Sequence, residues 1–480
     1  MIKLIYRIES DYMSKKRMLI VTSVTLSVVT ISLGIVKLYQ TYALSNYIGT
    51  VTDTGIDVYI NDDSYASIPA NGSSNVYYML TNTNPGTVKY GVAYQTTSGV
   101  TVKVYDTSED PATGTIEEND KKYIKLHLEN KNSTNKTIEL STVLGYENGG
   151  DLVVPSGVTL VTDTYTPPPT AAEYITKLYT TASKTTVTNN SITYNTAPSV
   201  SLMNDRLGGT TTDLDGGNIR YYGANPNNYI YFNCSDYSNQ TSSTCETWRI
   251  IGVFDGKLKI TNPTKNDFYF PFDYDKNDDG TSTTYDSNWS TSTLQKLLNN
   301  GYYNNTIGEI TYYFTDSSLR ERNDTKNMSN IGLKNVDTRK LISSEKWYLG
   351  SNYGLQFANE VYVAERSNIS CEDCNYDVIW NGNIALPYLS DFGYAGDFNA
   401  CNVSTFSSNC KGWMLFSSMN YWLLSIDTAT TIMYYNFFYG NIQADLSSVS
   451  YIVLPTLYLI PDIKIVGGTG TSDNPYLINK

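Results

Sequence analysis

Short segments in which apolar and polar side chains alternate fill residues 47–165. In the segment YIKLHLE (123–129), Ile124, Leu126 and Leu128 share one face and the polar side chains share the other. Similar runs, rich in Tyr and β-branched residues, lie at 75–80, 88–94, 100–105, 137–145 and 158–161. About seven short strands in about 115 residues predict an all-β, immunoglobulin-like sandwich over 47–165. The alternation also places His127 on the polar face, which we expect to be exposed.

A different pattern occurs near the start of the chain, where residues 18–36 form an uncharged, apolar run. As a helix this run is roughly 28 Å long, close to a hydrocarbon core of about 30 Å. The basic triplet 15–17 precedes it, which favours a cytoplasmic N-terminus and an extracellular bulk. We therefore predict a basic cytoplasmic segment over 1–17 and a transmembrane signal anchor over 18–38. The membrane is thus a predicted partner, and the protein is predicted to cross it once.

Two alternatives stay open for the same run. A cleaved export signal, with a cleavage site at TYA (41–43), would release a secreted protein. A helix buried in the core of a soluble protein would also be apolar, and it would place no part of the chain in a membrane.

The Pro-rich segment TPPPT (166–170) indicates a domain boundary, because a polyproline run is a stiff spacer. A short helical pattern follows at Ala171–Thr181, and the chain up to residue 206 is rich in Thr, Ser and Asn. We predict a linker over 166–206 that contains this helix.

Residues 207–480 mix strand and helix patterns and contain all six Trp residues. Strand signals lie at 218–222, 229–232, 247–254 and 257–260. Helix signals lie at 291–298, with Ser290 as the N-cap, and at 355–366. A few helices in a strand-rich body predict an α+β domain over 207–480.

Composition and charge exclude several classes of function. The net charge of −13 repels phosphate backbones, so nucleic acid is not an expected partner. The 13% of aromatic residues argue against a wholly disordered chain. The single His, His127, lies in the first domain, so the second lacks an imidazole for nucleophile activation or zinc binding. No phosphate-binding loop is present, and we assign no catalytic residue, although carboxylates leave glycan hydrolysis open.

The six Cys residues form three close pairs, all in the second half of the chain. They are Cys234 and Cys245, Cys371 and Cys374, and Cys401 and Cys410. An even number of Cys outside the cell favours disulfides, and short separations favour pairing within each pair. For Cys371 and Cys374, a redox motif and a metal knuckle remain alternatives.

The segment DKNDDGTSTTYD (275–286) fits a twelve-residue calcium loop. The oxygen ligands would come from Asp275, Asn277, Asp279, Thr281 and Asp286. The preceding segment FYFPF (268–272) is not an entering helix, so a solvated loop is the alternative. Calcium is the one cofactor that the sequence suggests.

Seven segments of the second domain carry a resemblance to known proteins. They are NIRYYGANPNNYIYFNC (218–234), CETWRIIGVF (245–254), NWSTSTLQKLLN (288–299), KWYLG (346–350), VYVAER (361–366), NGNIALPYLSDFGYAG (381–396) and DIKIVGGTGTSDNPYLI (462–478). Together they resemble a large, uncharacterised family of exported proteins from AT-rich Gram-positive bacteria. The resemblance implies a lectin-like fold, as in C-type lectins, formylglycine-generating enzymes and fibrobacter paralogous domains. The first domain is similar to secreted matrix-fibre proteins of bacilli.

The chain departs from these relatives at several motifs. WLLSI (422–426) stands where the family has Trp-x-Leu-Ser-Pro, and VLP (453–455) stands where it has Val-Arg-Pro. The calcium–sugar signature of C-type lectins and the cysteine motif of formylglycine-generating enzymes are absent from the sequence. A binding role that depends on the missing Arg is therefore not expected.

Exposed aromatic residues are the candidate ligand contacts, because the C–H faces of sugar rings stack on aromatic side chains. Trp289 and Trp380 are flanked by Asn, Gly or Ser and are predicted to be exposed. Asp391 is the acid in the motif SDFGY, where turn capping is the alternative role. We expect a membrane-anchored cell-surface binding, adhesion or structural protein whose partner is a glycan or a host or matrix protein. A matrix or filament subunit and a carboxylate-dependent glycan hydrolase are the alternatives.

Overall fold

The computed structural model describes most of the chain from Tyr47 onward. The described residues are 47–51, 56–59, 65–82, 86–145, 152, 154–263, 268–273, 288–304, 309–315, 321–327, 331–350, 355–367, 379–399, 410, 412–414, 420–426, 431–436 and 441–479. The chain divides into two compact units, Met1–Pro167 (unit 1) and Pro168–Lys480 (unit 2). Among the described residues of both units, strands predominate and helices are few, which confirms a largely β fold for this part of the chain.

The described strands of unit 1 form two sheets and one separate pair. They are β1 (Tyr47–Val51), β2 (Ile56–Tyr59), β3 (Tyr65–Ile68), β4 (Gly72–Thr81), β5 (Val88–Gln95), β6 (Val100–Tyr105), β7 (Thr113–Ile116), β8 (Lys121–Asn130), β9 (Lys136–Gly145), β10 (Val158–Leu160) and β11 (Thr164–Tyr165). One sheet has the order β10-β5-β9-β3, with β7 also paired to β5. The other has the order β11-β6-β8-β4, and β1 pairs with β2.

A single hydrophobic core joins the two sheets of unit 1. Ile124, Leu126 and Leu128 of β8 are buried, as their alternation predicts. They belong to the same cluster as Val92 of β5 and Leu140 of β9, which lie in the other sheet. Because both sheets contribute to one core, unit 1 is a two-layer β-sandwich. The all-β prediction for this part of the chain is confirmed.

His127 is buried, so the expectation that it is exposed was wrong. The residue retains only 5% of its accessible surface. The ring of Tyr165 stacks on it at a centroid distance of 3.6 Å, and its Nδ1 lies 2.7 Å from Asn75 Oδ1. Strand β11 pairs with β6 and brings Tyr165 over this face of the sheet. The local alternation cannot show that a later strand covers the residue.

Unit 2 contains the remaining described strands. They are β12 (Thr185–Asn189), β13 (Ile192–Ala197), β14 (Leu202–Asn204), β15 (Ile219–Tyr221), β16 (Tyr229–Phe232), β17 (Glu246–Phe254), β18 (Lys257–Thr261), β19 (Tyr269–Pro271), β20 (Glu309–Thr315), β21 (Glu321–Asn327), β22 (Ile342–Ser343), β23 (Glu345–Tyr348), β24 (Ile379–Gly382), β25 (Ile384–Ala385), β26 (Asn420–Ile426), β27 (Thr431–Asn436), β28 (Asn441–Leu446), β29 (Ser450–Ile452), β30 (Thr456–Leu459), β31 (Lys464–Gly467) and β32 (Leu477–Asn479).

The described helices of unit 2 are short. They are α1 (Ala171–Thr181), α2 (Arg206–Gly209), α3 (Thr293–Lys296), α4 (Val336–Lys340), α5 (Ala358–Arg366) and α6 (Leu389–Tyr394). A 3₁₀ turn at Pro198–Val200 and a π turn at Leu297–Tyr302 complete the set.

The main sheet of unit 2 has the order β12-β13-β14-β15-β17-β18-β30-β22, with β16 also on β17 and β25 also on β30. A second sheet has the order β19-β29-β26-β27-β28. The pairs β20-β21, β23-β24 and β31-β32 lie outside these two sheets. One large hydrophobic cluster includes Trp248 of β17, Trp347 of β23 and Trp422 of β26, so strands of several sheets share a core.

The structure corrects the predicted linker over 166–206. The helix Ala171–Thr181 forms with the bounds that the sequence predicts, and Thr170 and Glu173 make a capping box at its start. Its residues Ala171 and Ile175 are buried in the main core of unit 2. Strands β12 to β14 join the main sheet. Residues after the proline run therefore belong to unit 2, because their small and apolar positions complete its core.

Two other helices differ from prediction at their ends. The helix predicted at 291–298 begins two residues later, because Ser292 and not Ser290 caps it by accepting a hydrogen bond from Gln295 N at 3.1 Å. It then widens into the π turn Leu297–Tyr302. The helix predicted at 355–366 starts at Ala358 and ends at Arg366.

Several predictions fall outside the described residues. They concern the apolar run 18–36, the calcium loop 275–286, and Cys371, Cys374 and Cys401. Within the described ranges, none of the helices has both the length and the apolar character needed to span a bilayer.

Candidate functional site

The predicted aromatic ligand contacts do not form an open surface. Trp289 is fully buried in the core of unit 2, so the prediction that it is exposed was wrong. Trp380 is partly buried and meets Trp289 edge to face, with ring centroids 5.7 Å apart. Apolar partners from distant segments, such as Phe272, cover the indole of Trp289. Flanking Asn and Ser residues in the sequence therefore gave a misleading signal of exposure.

Asp391, the acid of the motif SDFGY, lies buried near the start of α6. Its Oδ2 accepts hydrogen bonds from the backbone N–H of Tyr388 at 2.9 Å and from Lys259 Nζ. Its Oδ1 accepts from Arg220 Nη1 at 2.8 Å. The carboxylate thus caps the helix, which was the alternative interpretation, and it also bridges two buried cations.

A second carboxylate completes this group, which we call the buried ionic cluster (Asp205, Arg220, Lys259 and Asp391). Arg220 Nε donates to Asp205 Oδ2 at 2.5 Å. The other oxygen of Asp205 accepts from the backbone N–H of Leu207 at 3.0 Å and of Asn218 at 2.9 Å. Two cations and two carboxylates therefore balance one another inside unit 2.

The strand register explains how the two cations come together. In the main sheet, Arg220 of β15 lies opposite Gly252 of β17, and Gly252 lies opposite Lys259 of β18. A Cβ at Gly252 would come within 2.2 Å of the carbonyl oxygen of Ile219, so this close approach of strands requires glycine. This register places Arg220 and Lys259 on the two strands that flank β17, and Asp391 contacts both.

Burial and neighbouring charges shift the pKa values of Lys259 and Asp391. Desolvation lowers the pKa of Lys259 to about 8, although the adjacent Asp391 opposes this shift. Burial disfavours the charge of Asp391, but Lys259 and Arg220 outweigh it and hold the pKa of Asp391 below its ordinary value. Since these groups have no contact with solvent, the cluster stabilises the interior and is not a surface for a ligand.

A neighbouring carboxylate, Glu365 of α5, is also buried. It accepts hydrogen bonds from Ser390 N at 2.9 Å and from Ser390 Oγ at 2.5 Å. Arg366 Nη1 lies 3.0 Å from its Oε2. Burial raises the pKa of Glu365 above its ordinary value, although Arg366 opposes this shift. The carboxylate ties α5 to the start of α6.

The sequence analysis missed a second site, around Arg249 of β17. Arg249 lies opposite Tyr229 of β16 in the strand register. Its guanidinium carbon is 3.9 Å from the ring centre of Tyr229 and 4.7 Å from that of Trp413. Arg249 Nε donates to Asn228 Oδ1 at 2.5 Å, and Nη2 donates to Pro226 O at 3.2 Å. These four side chains (Asn228, Tyr229, Arg249 and Trp413) are called the Arg249 site.

The charge of Arg249 has no counter-charge in this site. Among the residues that the structure describes, no carboxylate lies within ion-pair distance of it. Desolvation lowers the pKa of Arg249 to about 10. Tyr229 is partly exposed, and Ala224, Asn225 and Asn227 of the adjacent loop are exposed. The site thus offers a cation, an aromatic ring and amide groups near the surface.

The sequence held a weak signal for this site. Arg249 lies in the segment CETWRIIGVF and Asn228 and Tyr229 in NIRYYGANPNNYIYFNC, so both strands were singled out. A charged residue in an otherwise apolar strand points to a specific partner. Trp413, however, comes from a segment far away in the chain, which no local pattern connects to β17.

The described cysteines are in disulfides. Cys234 and Cys245 are bonded to each other and link the end of β16 to the start of β17, so this predicted pairing is confirmed. Cys410 is also disulfide-bonded. No cluster of three or more metal-ligating side chains occurs within the described ranges.

Comparison with protein-family models, with curated proteins and with solved structures found no match to this chain.

Proposed function

We propose that this protein is a cell-surface binding protein whose unit 2 binds a glycan that carries a carboxylate. The observation that carries the proposal is the Arg249 site, in which a largely buried guanidinium lies close to two aromatic rings without a carboxylate partner among the described residues. Arg220, by comparison, contacts two carboxylates in the same unit.

The chemistry of the site suits such a ligand. A buried, unpaired charge is unfavourable, and a carboxylate would supply the counter-charge through hydrogen bonds to the guanidinium edge. The rings of Tyr229 and Trp413 both lie close to the guanidinium carbon of Arg249, and a ligand carboxylate would meet the guanidinium N–H groups. The partly exposed ring of Tyr229 could stack on the sugar, and the loop amides could bind its hydroxyls.

A glycan screen with the full chain tests this proposal. The wild type should retain carboxylated oligosaccharides in preference to neutral ones. Arg249→Gln should weaken binding about tenfold or more, because hydrogen bonds between charged groups contribute about 1.5–3 kcal/mol. Lys340→Gln removes an exposed cation elsewhere in unit 2 and serves as the matched control. Loss of binding in both variants, or in neither, would refute a role for the Arg249 site.

We further propose that residues 18–38 anchor the chain in the membrane as a signal anchor, with the two units outside the cell. The support is the basic triplet 15–17 ahead of an uncharged apolar run of membrane-spanning length. Cleavage after the run would give a secreted protein with the same two units.

For unit 1 we propose an immunoglobulin-like sandwich in which the edge strands pair with different partners from those in an immunoglobulin domain. The order β4-β8-β6 corresponds to strands B, E and D of an immunoglobulin domain, and β5 beside β9 corresponds to C and F. At the edges, β3 pairs with β9 and β10 pairs with β5, whereas strand A of an immunoglobulin domain pairs with B and strand G pairs with F. For unit 2 we propose a lectin-like fold, which the resemblance of its seven segments supports.

A filament or matrix subunit is the second candidate function, and one observation favours it. The outer face of unit 1 carries an aromatic and cationic patch in which Lys125 Nζ lies 5.6 Å from the ring of Tyr77 and 4.1 Å from that of Tyr105. Tyr77 is 55% and Tyr123 is 38% exposed. Assembly that depends on concentration and is weakened by Tyr77→Ser would favour this function.

Calcium binding by the loop 275–286 stays a proposal, with Asp275, Asn277, Asp279, Thr281 and Asp286 as ligands. A chelator should then lower the melting temperature of the wild type, and Asp275→Ala should remove that difference. For glycan hydrolysis, the buried and doubly paired Asp391 offers no support, because a substrate in solvent cannot reach it.

A further inference from the structure

Among the ion pairs that the described part of unit 2 contains, Lys259 and Asp391 are the most enclosed. Lys259 Nζ contacts Asp391 Oδ2, and both side chains have 0% of their surface exposed. The two residues are 132 positions apart in the sequence, on β18 and α6. The contact therefore joins a strand of the main sheet to a helix that is distant along the chain.

Aromatic rings surround this contact. Lys259 Nζ lies 4.3 Å from the ring centre of Tyr388, and the other three rings around it are somewhat more distant. They belong to Trp347 at 5.4 Å, Phe254 at 5.5 Å and Tyr458 at 5.7 Å. The rings exclude water from the ammonium and the carboxylate. A site without water favours condensation of two such groups over hydrolysis of the amide that they would form.

Another lysine on the same strand provides a contrast. Lys257 Nζ lies 2.5 Å from Glu345 Oε1, but the two side chains are 24% and 19% exposed. Solvent reaches that pair, so it is an ordinary salt bridge. Close contact between an ammonium and a carboxylate is common to both pairs, and complete enclosure is specific to Lys259 and Asp391.

We propose that Lys259 and Asp391 condense spontaneously into an intramolecular isopeptide bond that cross-links β18 to α6. The bond forms between Lys259 Nζ and Asp391 Cγ, and the bond between Cγ and Oδ2 breaks. Two of the three ammonium protons leave with Oδ2 as one water molecule, and the third stays on the amide nitrogen. Ammonium plus carboxylate gives amide plus water, so no oxidant or other reactant is needed.

The surrounding groups fit each step. A proton first passes from Nζ to Oδ2, which gives an amine and a carboxylic acid, and desolvation of Lys259 favours its neutral form. The amine then attacks Cγ. Arg220 Nη1, 2.8 Å from Oδ1, stabilises the negative charge that develops on this oxygen. Arg220 also favours the ionised form of Asp391, so we expect the first proton transfer to make the reaction slow.

The net charge of the buried ionic cluster does not change in the reaction. The product removes one positive and one negative charge from the interior, and Arg220 keeps its contact with Asp205. Removing a buried ion pair also removes its desolvation penalty, which favours the product. The enclosed pair holds its reacting groups together as an intramolecular reaction requires.

Mass spectrometry of the denatured full chain tests the proposal. The measured mass of the wild type should be lower, by the mass of one water molecule, than the mass calculated from its sequence with its disulfides formed. A proteolytic digest should contain a branched peptide that joins the segments around Lys259 and Asp391. Lys259→Arg keeps a cation but cannot make this amide, so it should have the full mass. Lys257→Arg is the matched control and should still lose one water.

A wild-type digest in which Lys259 and Asp391 both occur in unmodified linear peptides, after prolonged incubation of the folded protein, would overturn the proposal. The same is true of a water loss that persists in Lys259→Arg. If Lys259→Arg does not fold, the digest of the wild type decides the question alone. Neither readout depends on glycan binding, so this inference and the proposed function can fail separately.

Discussion

Arg220 and Arg249 show how the surroundings of one kind of side chain decide its role. Arg220 is fully enclosed and meets Asp205 and Asp391, so its charge is neutralised within the protein. Arg249 is held by Asn228 and a backbone carbonyl, neither of which carries charge. Arg220 is a structural residue, whereas no described carboxylate neutralises Arg249, and we propose that a ligand carboxylate does so.

The raised pKa of Glu365 predicts that the stability of the protein depends on pH. Burial raises its pKa above the ordinary value of 4.5, so the folded protein binds this proton more tightly than the unfolded chain does. The resulting stability is complete below the unfolded-state pKa and is lost as the pH rises through the folded-state pKa. Glu365→Gln removes the titration, so the wild type should lose stability relative to this variant as the pH rises. The loss is about 1.4 kcal/mol per unit of pKa shift.

Chemical denaturation followed by Trp fluorescence, at about pH 4 and about pH 7, measures this difference. The carboxamide oxygen of Gln can still accept the hydrogen bond from Ser390 N, and its NH2 group can donate to Ser390 Oγ. Glu345→Gln, which removes a partly exposed carboxylate beside Lys257, is the control for loss of a charge. A difference between the wild type and Glu365→Gln that does not change with pH would contradict the raised pKa.

The sequence indicated the role of a residue only where the cause was local. Asp391 was a candidate ligand contact, but it is buried and caps α6, which was the alternative role that SDFGY suggested. The exposure of Trp289 and His127 was predicted wrongly, because Phe272 and Tyr165 cover them from other segments. The Arg249 site was missed for the same reason, since Trp413 reaches it from far along the chain.

At the scale of elements, helix α1 shows how local signals fix a boundary. Thr170 Oγ1 accepts a hydrogen bond from Glu173 N at 3.2 Å, and the carboxylate of Glu173 accepts from Thr170 N at 2.7 Å. The helix has the predicted bounds, and the spacing of Thr170 and Glu173 is that of a capping box. The helix near residue 293 was predicted less well, because its π turn depends on tertiary packing around Leu297 and Leu298.

The capping box of α1 leads to a testable expectation. Thr170→Ala removes the side-chain acceptor for Glu173 N and should destabilise unit 2 by about 1 kcal/mol. Thr180→Ala, at an exposed position in the last turn of the same helix, is the matched control and should have little effect. Denaturant midpoints of the unit 2 transition measure both. Equal midpoints for the two variants would show that the box does not anchor the helix.

At the scale of the whole molecule, the two-unit, strand-rich organisation followed from the sequence. Alternation in unit 1 predicted a sandwich, because one face of each strand must be buried. The extent of unit 2 was underestimated, since Ile175 and its neighbours join a core whose other members come from much later segments. The buried ionic cluster was not predictable either, because strand register brings Arg220 and Lys259 to the two sides of Gly252.

Ligand binding by unit 2 is the central claim, and a matched pair of ligands tests it most directly. Calorimetric titration of the full chain would compare an oligogalacturonate with the same oligosaccharide after reduction of its carboxyl groups. We predict that the carboxylated form binds about tenfold or more tightly, and that Arg249→Gln abolishes this preference. Equal affinity of the wild type for both forms, or a preference that persists in Arg249→Gln, would contradict the account.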